Sequence, residues 1–375
     1  MFKADYHIVK STISTNVVDM FNDCIRQLIA DEGILRIAVF WNPDGNEGYV
    51  DDKRRLLATA AERFGNNQPS ISFIAQKPLD SKMVLEVVQV PCCLNTQLIF
   101  KKNHGISYAK VIKEEYCELH LSGVSAPLHL SVRQQANQIF HTIKSILECE
   151  GMPINSIVRQ WNYIECITDL DGESQRYQLF NDERTSFYEM TDWPNGFPAA
   201  TGIGMKAGGI VVDCLAVSGV DQDLPLTNPL QIDAHAYTQG VLIGAEDQNR
   251  GIKTTPKFER AKYIGNLNKA LVYVSGTAAI RGESSLGAGN AARQTQLTLE
   301  NISHLVSTDN TVTPVSGVRD LEMLRVYIKH EEDFEEIRAV CSQYNAAANV
   351  SYLLSDICRD ELLVEIESVF SLSVV

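Results

Sequence analysis

Hydrophobic positions along this chain follow two periods, one typical of β-strands and one typical of amphipathic helices. Runs rich in Val, Ile, Leu and Tyr predict strands at 34–41, 70–76, 81–90, 116–123, 157–165, 208–218, 270–276, 321–330 and 361–370. Apolar residues at helical spacing predict helices at 16–33, 53–65, 133–147, 174–190, 293–306 and 331–345. These elements follow one another in an order that repeats along the chain.

The repeated unit consists of strands, a helix, a strand, a helix and strands, and it occurs about two and a half times. The strands at 116–123 and 270–276 both end in Ser-Gly, and each precedes a helix that opens with Arg-Gln. We expect a degenerate first copy at 1–105, a second at 106–220 and a third at 221–375. Each copy predicts an α+β unit, a mixed sheet with two helices packed on one face. Three such units around a pseudo-threefold axis would bury their open sheet faces within one chain.

The last predicted strand, "ELLVEIESVF", carries two carboxylates on one face, because Glu365 and Glu367 are two residues apart. When the copies are aligned, Glu367 matches Asp213 and Glu86, whereas Glu365 matches valine in both other copies. An acid in every copy predicts a shared structural role for Glu367, such as accepting arginine hydrogen bonds. Glu365 is the unusual one. It is either a solvated strand carboxylate or a catalytic acid whose pKa is raised by partial desolvation.

The repeated unit resembles the RidA/YjgF-like (chorismate mutase-like) fold, through "VSGTAAI", the helix containing "LENI" and the terminal "LVEIES". A longer series of segments resembles the chorismatases, single-chain enzymes with a RidA-like core. In order along the chain these segments are "RQWNYIECI", "RYQLFNDERTSF", "FPAATGIGMKAGGIVVDCLAVSG", "NPLQIDAHAYTQ", "PKFERAKYI", "VSGTAAIRGESS" and "YLLSDICRDELLVEIES".

The resemblance implies an enzyme that cleaves the enolpyruvyl ether of chorismate by general acid catalysis, without metal or organic cofactor. The products would be pyruvate and either a hydroxybenzoate or a dihydroxycyclohexadiene carboxylate. It implies that Glu365 is the catalytic acid and that Arg338 binds substrate. It also implies that Cys358 helps to decide the product, with a cysteine there favouring 3-hydroxybenzoate.

Further arginines are candidate anchors for a small anionic substrate such as chorismate or a relative. Arg159 is two residues before Trp161 on a predicted strand, so both side chains face one side. Arg176 and Arg184 are eight residues apart, which places them on roughly one helical face. Each of these arginines could equally form a surface ion pair.

Two tyrosines and a glycine complete the candidate site. Tyr237 and Tyr263 could donate hydroxyl hydrogen bonds to the substrate or fill the core. Gly276, in "VSGT", would let the backbone approach a ligand closely or simply end a strand.

Composition excludes several classes of partner. The net charge of −14 argues against nucleic acid, and no apolar run approaches the length of a membrane span. The nine cysteines and eight histidines show no metal-ligand spacing, and an odd cysteine count favours reduced thiols in the cytoplasm. We expect a monomer, because the internal copies would satisfy the interfaces that RidA homotrimers bury between subunits.

Two alternatives to a chorismatase-like enzyme stay open. One is a RidA/YjgF-like binding or regulatory protein that has kept an acid-binding pocket without turnover. The other is an imine deaminase, which the sequence disfavours. The family's carboxylate-binding arginine, two residues after a proline, is replaced by Ala200 in the second copy, and the matching stretch of the third copy also lacks it.

Overall fold

The computed structural model of the chain describes residues 4–28, 32–91, 96–243, 245–246, 251–266, 269–307, 310 and 319–373. Within these ranges the main sheets are three, one for each copy of the repeat. The helices are α1 Val17–Arg26, α2 Gly45–Phe64, α3 Val132–Cys149, α4 Arg176–Tyr188, α5 Ala291–Leu305 and α6 Phe334–Tyr344.

Copy one forms a four-stranded sheet in the order β1-β5-β2-β3. Its strands are β1 Asp5–Lys10, β2 Glu32–Trp41, β3 Ser70–Ile74 and β5 Met83–Pro91, while β4 Lys77–Pro78 joins the sheet of copy three. Strand β1 was not predicted from the sequence, because its residues are only partly buried apart from Val9 and so show little hydrophobic alternation.

Copy two forms a six-stranded sheet in the order β12-β9-β13-β8-β7-β6. Its strands are β6 Gln97–Asn103, β7 Ile106–Lys113, β8 Tyr116–Ser125, β9 Ile157–Glu165, β12 Ala199–Met205 and β13 Ile210–Ser218, with the short pair β10 Leu170–Asp171 and β11 Ser174–Gln175 beside them. This sheet begins at Gln97, so the copy starts before the boundary expected at 105/106.

Copy three forms a seven-stranded sheet in the order β14-β15-β16-β21-β19-β20-β4. Its strands are β14 Gln222–Leu226, β15 Ala261–Asn266, β16 Lys269–Thr277, β19 Arg319–Ile328, β20 Val350–Leu354 and β21 Val364–Ser373, with the short pair β17 Ile280–Arg281 and β18 Ser284–Ser285. Strand β21 is central and antiparallel to both β16 and β19, so its side chains are buried on both faces.

Two helices pack together in each copy, α1 on α2, α3 on α4 and α5 on α6. Helix α3 shows why such a helix starts where it does. The side chain of Ser131 accepts a hydrogen bond from the backbone N–H of Gln134, whose own side chain accepts one from the Ser131 N–H, a capping box. Its apolar stripe then covers the sheet of copy two.

The open faces of the three sheets meet in one shared core. Leu35 and Val88 of copy one, Leu215 of copy two, and Leu271 and Val369 of copy three belong to the same buried cluster. The sheet faces are therefore buried within a single chain, as the sequence predicts. No helix within the described ranges is long and apolar enough to cross a membrane.

Candidate active site

A cavity lies between copies two and three. Copy two contributes the start of α4 and strand β12. Copy three contributes the end of β16 and the start of β21, with the segments that precede β15 and β21. The lining residues include Tyr177, Gln178, Asn181, Ala200, Gly202, Tyr237, Arg260, Gly276, Cys358, Arg359 and Glu365.

The acid in this cavity is Glu365, on β21. Its side chain is 5% exposed and has no hydrogen-bond partner in the part of the chain that the structure describes. Burial raises the pKa of the Glu365 carboxyl to about 8, and the negative charge of Glu367 adds to the rise. The positive charges of Arg159 and Arg260 oppose it. At neutral pH the carboxyl is therefore mostly protonated and able to donate a proton into the cavity.

Glu367 has a different environment although it lies on the same strand face. Its carboxylate accepts hydrogen bonds from Arg159 at 2.9 Å, Thr201 at 2.6 Å and Trp161 at 2.8 Å. It also pairs with Arg325 at 2.8 Å. Burial alone would raise the pKa of Glu367, but Arg325 and Arg159 hold it below its usual range. This carboxylate is ionised and fully engaged, so it is not available as a proton donor.

The pairing of Glu367 is one of three similar pairs around the centre of the molecule, which we call the central ring. In each pair an arginine of one copy binds the acid at the Glu367 position of the next copy. The pairs are Arg36–Asp213 at 2.8 Å, Arg159–Glu367 at 2.9 Å and Arg325–Glu86 at 2.8 Å. The hydroxyls of Ser72, Thr201 and Ser351 donate to the same three acids. The shared structural role expected for this acidic position is thus an inter-copy ion pair.

The central ring also explains why Arg159 does not line the cavity. The arginine is 1% exposed, lies over the ring of Trp161, and donates to Thr201 and Glu367. Arg159 was expected to anchor substrate, but its guanidinium is committed to the ion pair. Its charge still acts on the site, because it lowers the proton affinity of Glu365.

Arg338 was expected at the site through the family resemblance, but the structure places it away from the cavity with Glu365. It lies on α6, half exposed, and pairs with Glu335 at 2.7 Å. It borders a separate surface cleft next to Lys10 and Gln27. The spacing to the last strand does not determine which interface a helix faces, and α6 faces copy one.

The other two predicted arginines lie on α4, behind the cavity wall. Arg184 is fully buried, donates to Asn181 at 2.7 Å and lies beside Tyr177. Its Nε and Nη1 have no partner among the described residues. The Nε of Arg176, at the first position of the helix, is likewise buried and unpaired. Neither guanidinium is among the groups that line the cavity.

The cations at the cavity itself are Arg260 and Arg359, which the sequence did not single out. Arg260 donates to the hydroxyl of Tyr237 at 2.7 Å, and its Nε is buried without a partner within the described ranges. Arg359 lies 5.2 Å from the centre of the Tyr237 ring and donates to the carbonyl of Glu283 at 2.7 Å. Both residues lie in quoted segments, "PKFERAKYI" and "YLLSDICRD", but in irregular stretches where no periodicity indicates direction.

Of the two candidate tyrosines, only Tyr237 lines the cavity. Tyr263 is 3% exposed and packs in the core of copy three, which matches the alternative that it fills the core. Tyr177 takes the place at the cavity wall instead. A Cβ at Gly202 would overlap its ring, which explains a glycine there.

Gly276 and Cys358 both contact the cavity beside Glu365. A side chain at Gly276 would overlap Oε1 of Glu365, so only glycine leaves room for the carboxyl. Burial raises the pKa of the Cys358 thiol to about 12, and the neighbouring charge of Glu365 adds to the rise. The thiol therefore stays protonated at neutral pH, which disfavours nucleophilic chemistry at this residue. In the described ranges no three His, Cys, Asp or Glu side chains come together as a metal-ligand set.

Several known proteins are similar to this chain in sequence. Residues 95–216 match the family described as chorismatase FkbO/Hyg5-like, N-terminal. A chorismatase of Streptomyces rapamycinicus is 31% identical over 242 residues, which cover 62% of this chain and 68% of that protein. The chain belongs to the chorismatase family. A 3-hydroxybenzoate synthase of Streptomyces hygroscopicus is 32% identical over 231 residues, which cover 59% of this chain but less than two thirds, 65%, of that relative.

The fold of the whole chain is that of a chorismatase. A chorismatase crystal structure at 1.08 Å resolution aligns with 98% of this chain and 98% of its own, with a TM-score of 0.71 and 21% identity. This alignment includes copy one, which carries the weakest sequence resemblance. The predicted α+β fold class and the chorismatase resemblance are therefore confirmed.

Proposed function

We propose that this chorismatase-family protein cleaves the enolpyruvyl ether of chorismate to pyruvate and a hydroxybenzoate, preferentially 3-hydroxybenzoate. The observation that carries the proposal is the neutral carboxyl of Glu365. It lines a cavity that is also lined by two arginines, Arg260 and Arg359. A protonated acid near fixed cations suits a substrate with two carboxylates and an acid-labile enol ether.

In the first step Glu365 donates its proton to the methylene carbon of the enolpyruvyl group. The ether carbon becomes an oxocarbenium ion, and the carboxylate left on Glu365 is countered by the nearby charges of Arg159 and Arg260. Attack by water on this carbon gives a hemiketal, and breakage of the ether bond then releases pyruvate and the dihydroxycyclohexadiene carboxylate.

Attack by the neighbouring ring hydroxyl instead gives a cyclic ketal. Loss of the proton on the ether-bearing ring carbon then breaks the bond between the ring and the attacking oxygen and makes the ring aromatic. Cleavage of the ether bond leaves that oxygen as the keto oxygen of pyruvate and the original ether oxygen on the hydroxybenzoate. A hydroxybenzoate and pyruvate together contain all the atoms of chorismate, whereas the dihydroxycyclohexadiene carboxylate route consumes one water.

Substrate binding uses the cations and hydroxyl groups that surround the acid. Arg260 and Arg359 would each bind a substrate carboxylate, and Tyr237 orients Arg260 through its hydroxyl. The uncommitted nitrogens of Arg184 offer a further charge behind Asn181. Burial of these groups strengthens their interactions with an anion, because little water competes.

Cys358 favours the hydroxybenzoate product over the dihydroxycyclohexadiene carboxylate. The name of the Streptomyces hygroscopicus relative, 3-hydroxybenzoate synthase, supports the same preference. The thiol lines the cavity next to Glu365, where it can influence whether water or the substrate hydroxyl reaches the oxocarbenium carbon.

The test is incubation of the purified protein with chorismate, with pyruvate followed by a coupled lactate dehydrogenase assay and the ring product separated by chromatography. We expect equimolar pyruvate and 3-hydroxybenzoate. Binding of chorismate without pyruvate release would instead support the non-catalytic alternative. Pyruvate with only the dihydroxycyclohexadiene carboxylate would keep the cleavage and overturn the role of Cys358.

A further inference from the structure

The pseudo-threefold arrangement places a cleft at each of the other two interfaces, in addition to the cavity with Glu365. The cleft between copies one and two, here called the second cleft, lies between α2 and β3 on one side and the β6–β7 hairpin and the end of β8 on the other. These elements correspond to α4, β12 and β16 of the cavity. Gly123 takes the place of Gly276, each after a serine at the strand end.

The second cleft cannot repeat the proposed chemistry, because it lacks the acid. The residue that corresponds to Glu365 is Val211, opposite Tyr163 on β9 just as Glu365 is opposite Tyr327 on β19. Asp213, two residues on, is engaged by Arg36 in the central ring. The space is therefore a binding cleft without a proton donor at that position.

The charge of the second cleft is positive although the chain as a whole carries −14. Lys102 comes from the hairpin, and Lys53 comes from α2. The described residues that line it include no aspartate or glutamate. Lys102 is exposed at the rim, whereas Lys53 is partly buried at the interface. A partly buried cation without a counter-charge favours binding of an anion.

Lys53 is the most constrained of these cations. Its Nζ donates to the hydroxyl of Ser125 at 3.0 Å and lies 5.7 Å from the centre of the Tyr49 ring. It forms no ion pair with a carboxylate of the described chain. Burial lowers the pKa of the Lys53 amine to about 8. The side chain is thus held across the interface in a position where a ligand carboxylate would supply the missing charge.

The third cleft, between copies three and one, provides the contrast. Its two cations are Lys10 and Arg338. Lys10 pairs with Asp80 at 2.6 Å and Arg338 pairs with Glu335 at 2.7 Å. Both charges are therefore balanced by carboxylates, whereas Lys53 in the second cleft has no such counter-charge in the described part of the chain.

We propose that the second cleft is a separate binding site for a small organic carboxylate with an apolar body. Lys53 would bind the carboxylate, with Lys102 adding positive potential at the rim. Leu57, which is 39% exposed, and the wall formed by Ile71 and Phe73 would contact the apolar part. This inference does not depend on the proposed function, since it uses none of the residues of the cavity with Glu365.

The experiment uses 4-bromobenzoate, soaked into crystals of the full chain and located by the anomalous signal of bromine. We expect one bromine peak in the second cleft with the carboxylate on Lys53. Titration calorimetry with the same compound follows for Lys53→Met and for the control Arg55→Met, which removes an equal charge from the same helix at a residue outside the cleft lining. Lys53→Met should weaken one binding event at least tenfold, and Arg55→Met should leave it unchanged.

Bromine confined to the cavity with Glu365, or equal binding by both variants, would overturn the inference. Tighter binding of inorganic phosphate than of 4-bromobenzoate at Lys53 would overturn the ligand class. Chorismate turnover, measured on the same preparations, should be unaffected by Lys53→Met. A failure of the proposed function is therefore distinguishable from a failure of this inference.

Discussion

Replacement of Glu365 by Gln isolates the cost of burying this carboxyl. The folded protein holds its pKa at about 8, against 4.5 for an exposed glutamate. Between these values the unfolded chain binds fewer protons than the folded chain, so the stability of the wild type falls as pH rises, by about 1.4 kcal/mol per unit. The loss reaches about 3 kcal/mol at pH 7. Glutamine keeps the shape and removes this loss.

The effect is measurable as a melting temperature. A chain of 375 residues has an unfolding entropy of about 0.8 kcal/mol per kelvin. The Glu365→Gln variant should therefore melt about 1 °C above the wild type at pH 5 and about 4 °C above it at pH 7. Differential scanning calorimetry at several pH values gives the difference directly. A difference that is negative, or that does not grow with pH, would refute the reasoning that Glu365 is buried in its neutral form.

Turnover should move in the opposite direction from stability. Loss of the general acid should lower pyruvate release by roughly 10²- to 10⁴-fold. In the wild type, kcat/KM should fall as pH rises above about 8, because the acid must be protonated in the free enzyme. Near-normal turnover of Glu365→Gln would mean that another group supplies the proton.

Glu367→Gln is the matched control, two residues away on the same strand face. Its carboxylate is ionised and bound by Arg159 and Arg325, so removing it leaves buried guanidinium charge uncompensated at a cost of about 3–5 kcal/mol. The variant should melt about 4–6 °C lower at pH 7. Because the pKa of Glu367 is held below its usual range, its stabilisation is present above the pKa of the unfolded chain and is lost as pH falls through the lower folded value.

Three further outcomes follow from the site and the central ring. Arg260→Met should raise KM for chorismate by about tenfold to a hundredfold. The control Arg338→Met removes a surface arginine and should leave the kinetics unchanged. Equal effects of the two substitutions would contradict the placement of the substrate-binding arginines at the cavity. Cys358→Ala should shift the products toward the dihydroxycyclohexadiene carboxylate with turnover within a few-fold, and an unchanged product ratio would exclude the role of the thiol. Light scattering should give the monomer mass of 41.7 kDa, and an obligate trimer would contradict the internal pairing of the copies.

The repeat made most of the architecture predictable. Strand and helix periods, aligned between copies, gave the order of elements and the shared acidic position, because a repeated core imposes the same pattern each time. The same alignment distinguishes Glu367, whose position is acidic in every copy, from Glu365, whose position is not. The short polar strand β1 was missed, since its residues are half buried and carry no alternation.

The sequence could not predict which residues of irregular segments reach the cavity. Arg260 and Arg359 reach the cavity from stretches with no period, so nothing local indicates their direction. Arg338 and Tyr263 have the right chemistry on regular elements, but each element faces a different interface or core. Helix α4 carries a further signal of a site. Its buried face includes Gln178, Asn181 and other polar residues, and a helix with a purely structural role rarely buries such residues.

The central ring and the cavity together show how one chain obtains a single acid site from a threefold design. Each interface repeats an arginine, a hydroxyl and an acid at the Glu367 position, and these groups satisfy one another. An additional carboxyl two residues earlier has no such partners, so it must be neutral or bound to a ligand. Only copy three carries it, as Glu365, and copy two has Val211 there. A homotrimer would have to place that unpaired acid at all three interfaces. In an internal repeat the free energy of burying the acid is lost at one interface only, and the other clefts stay free for different ligands.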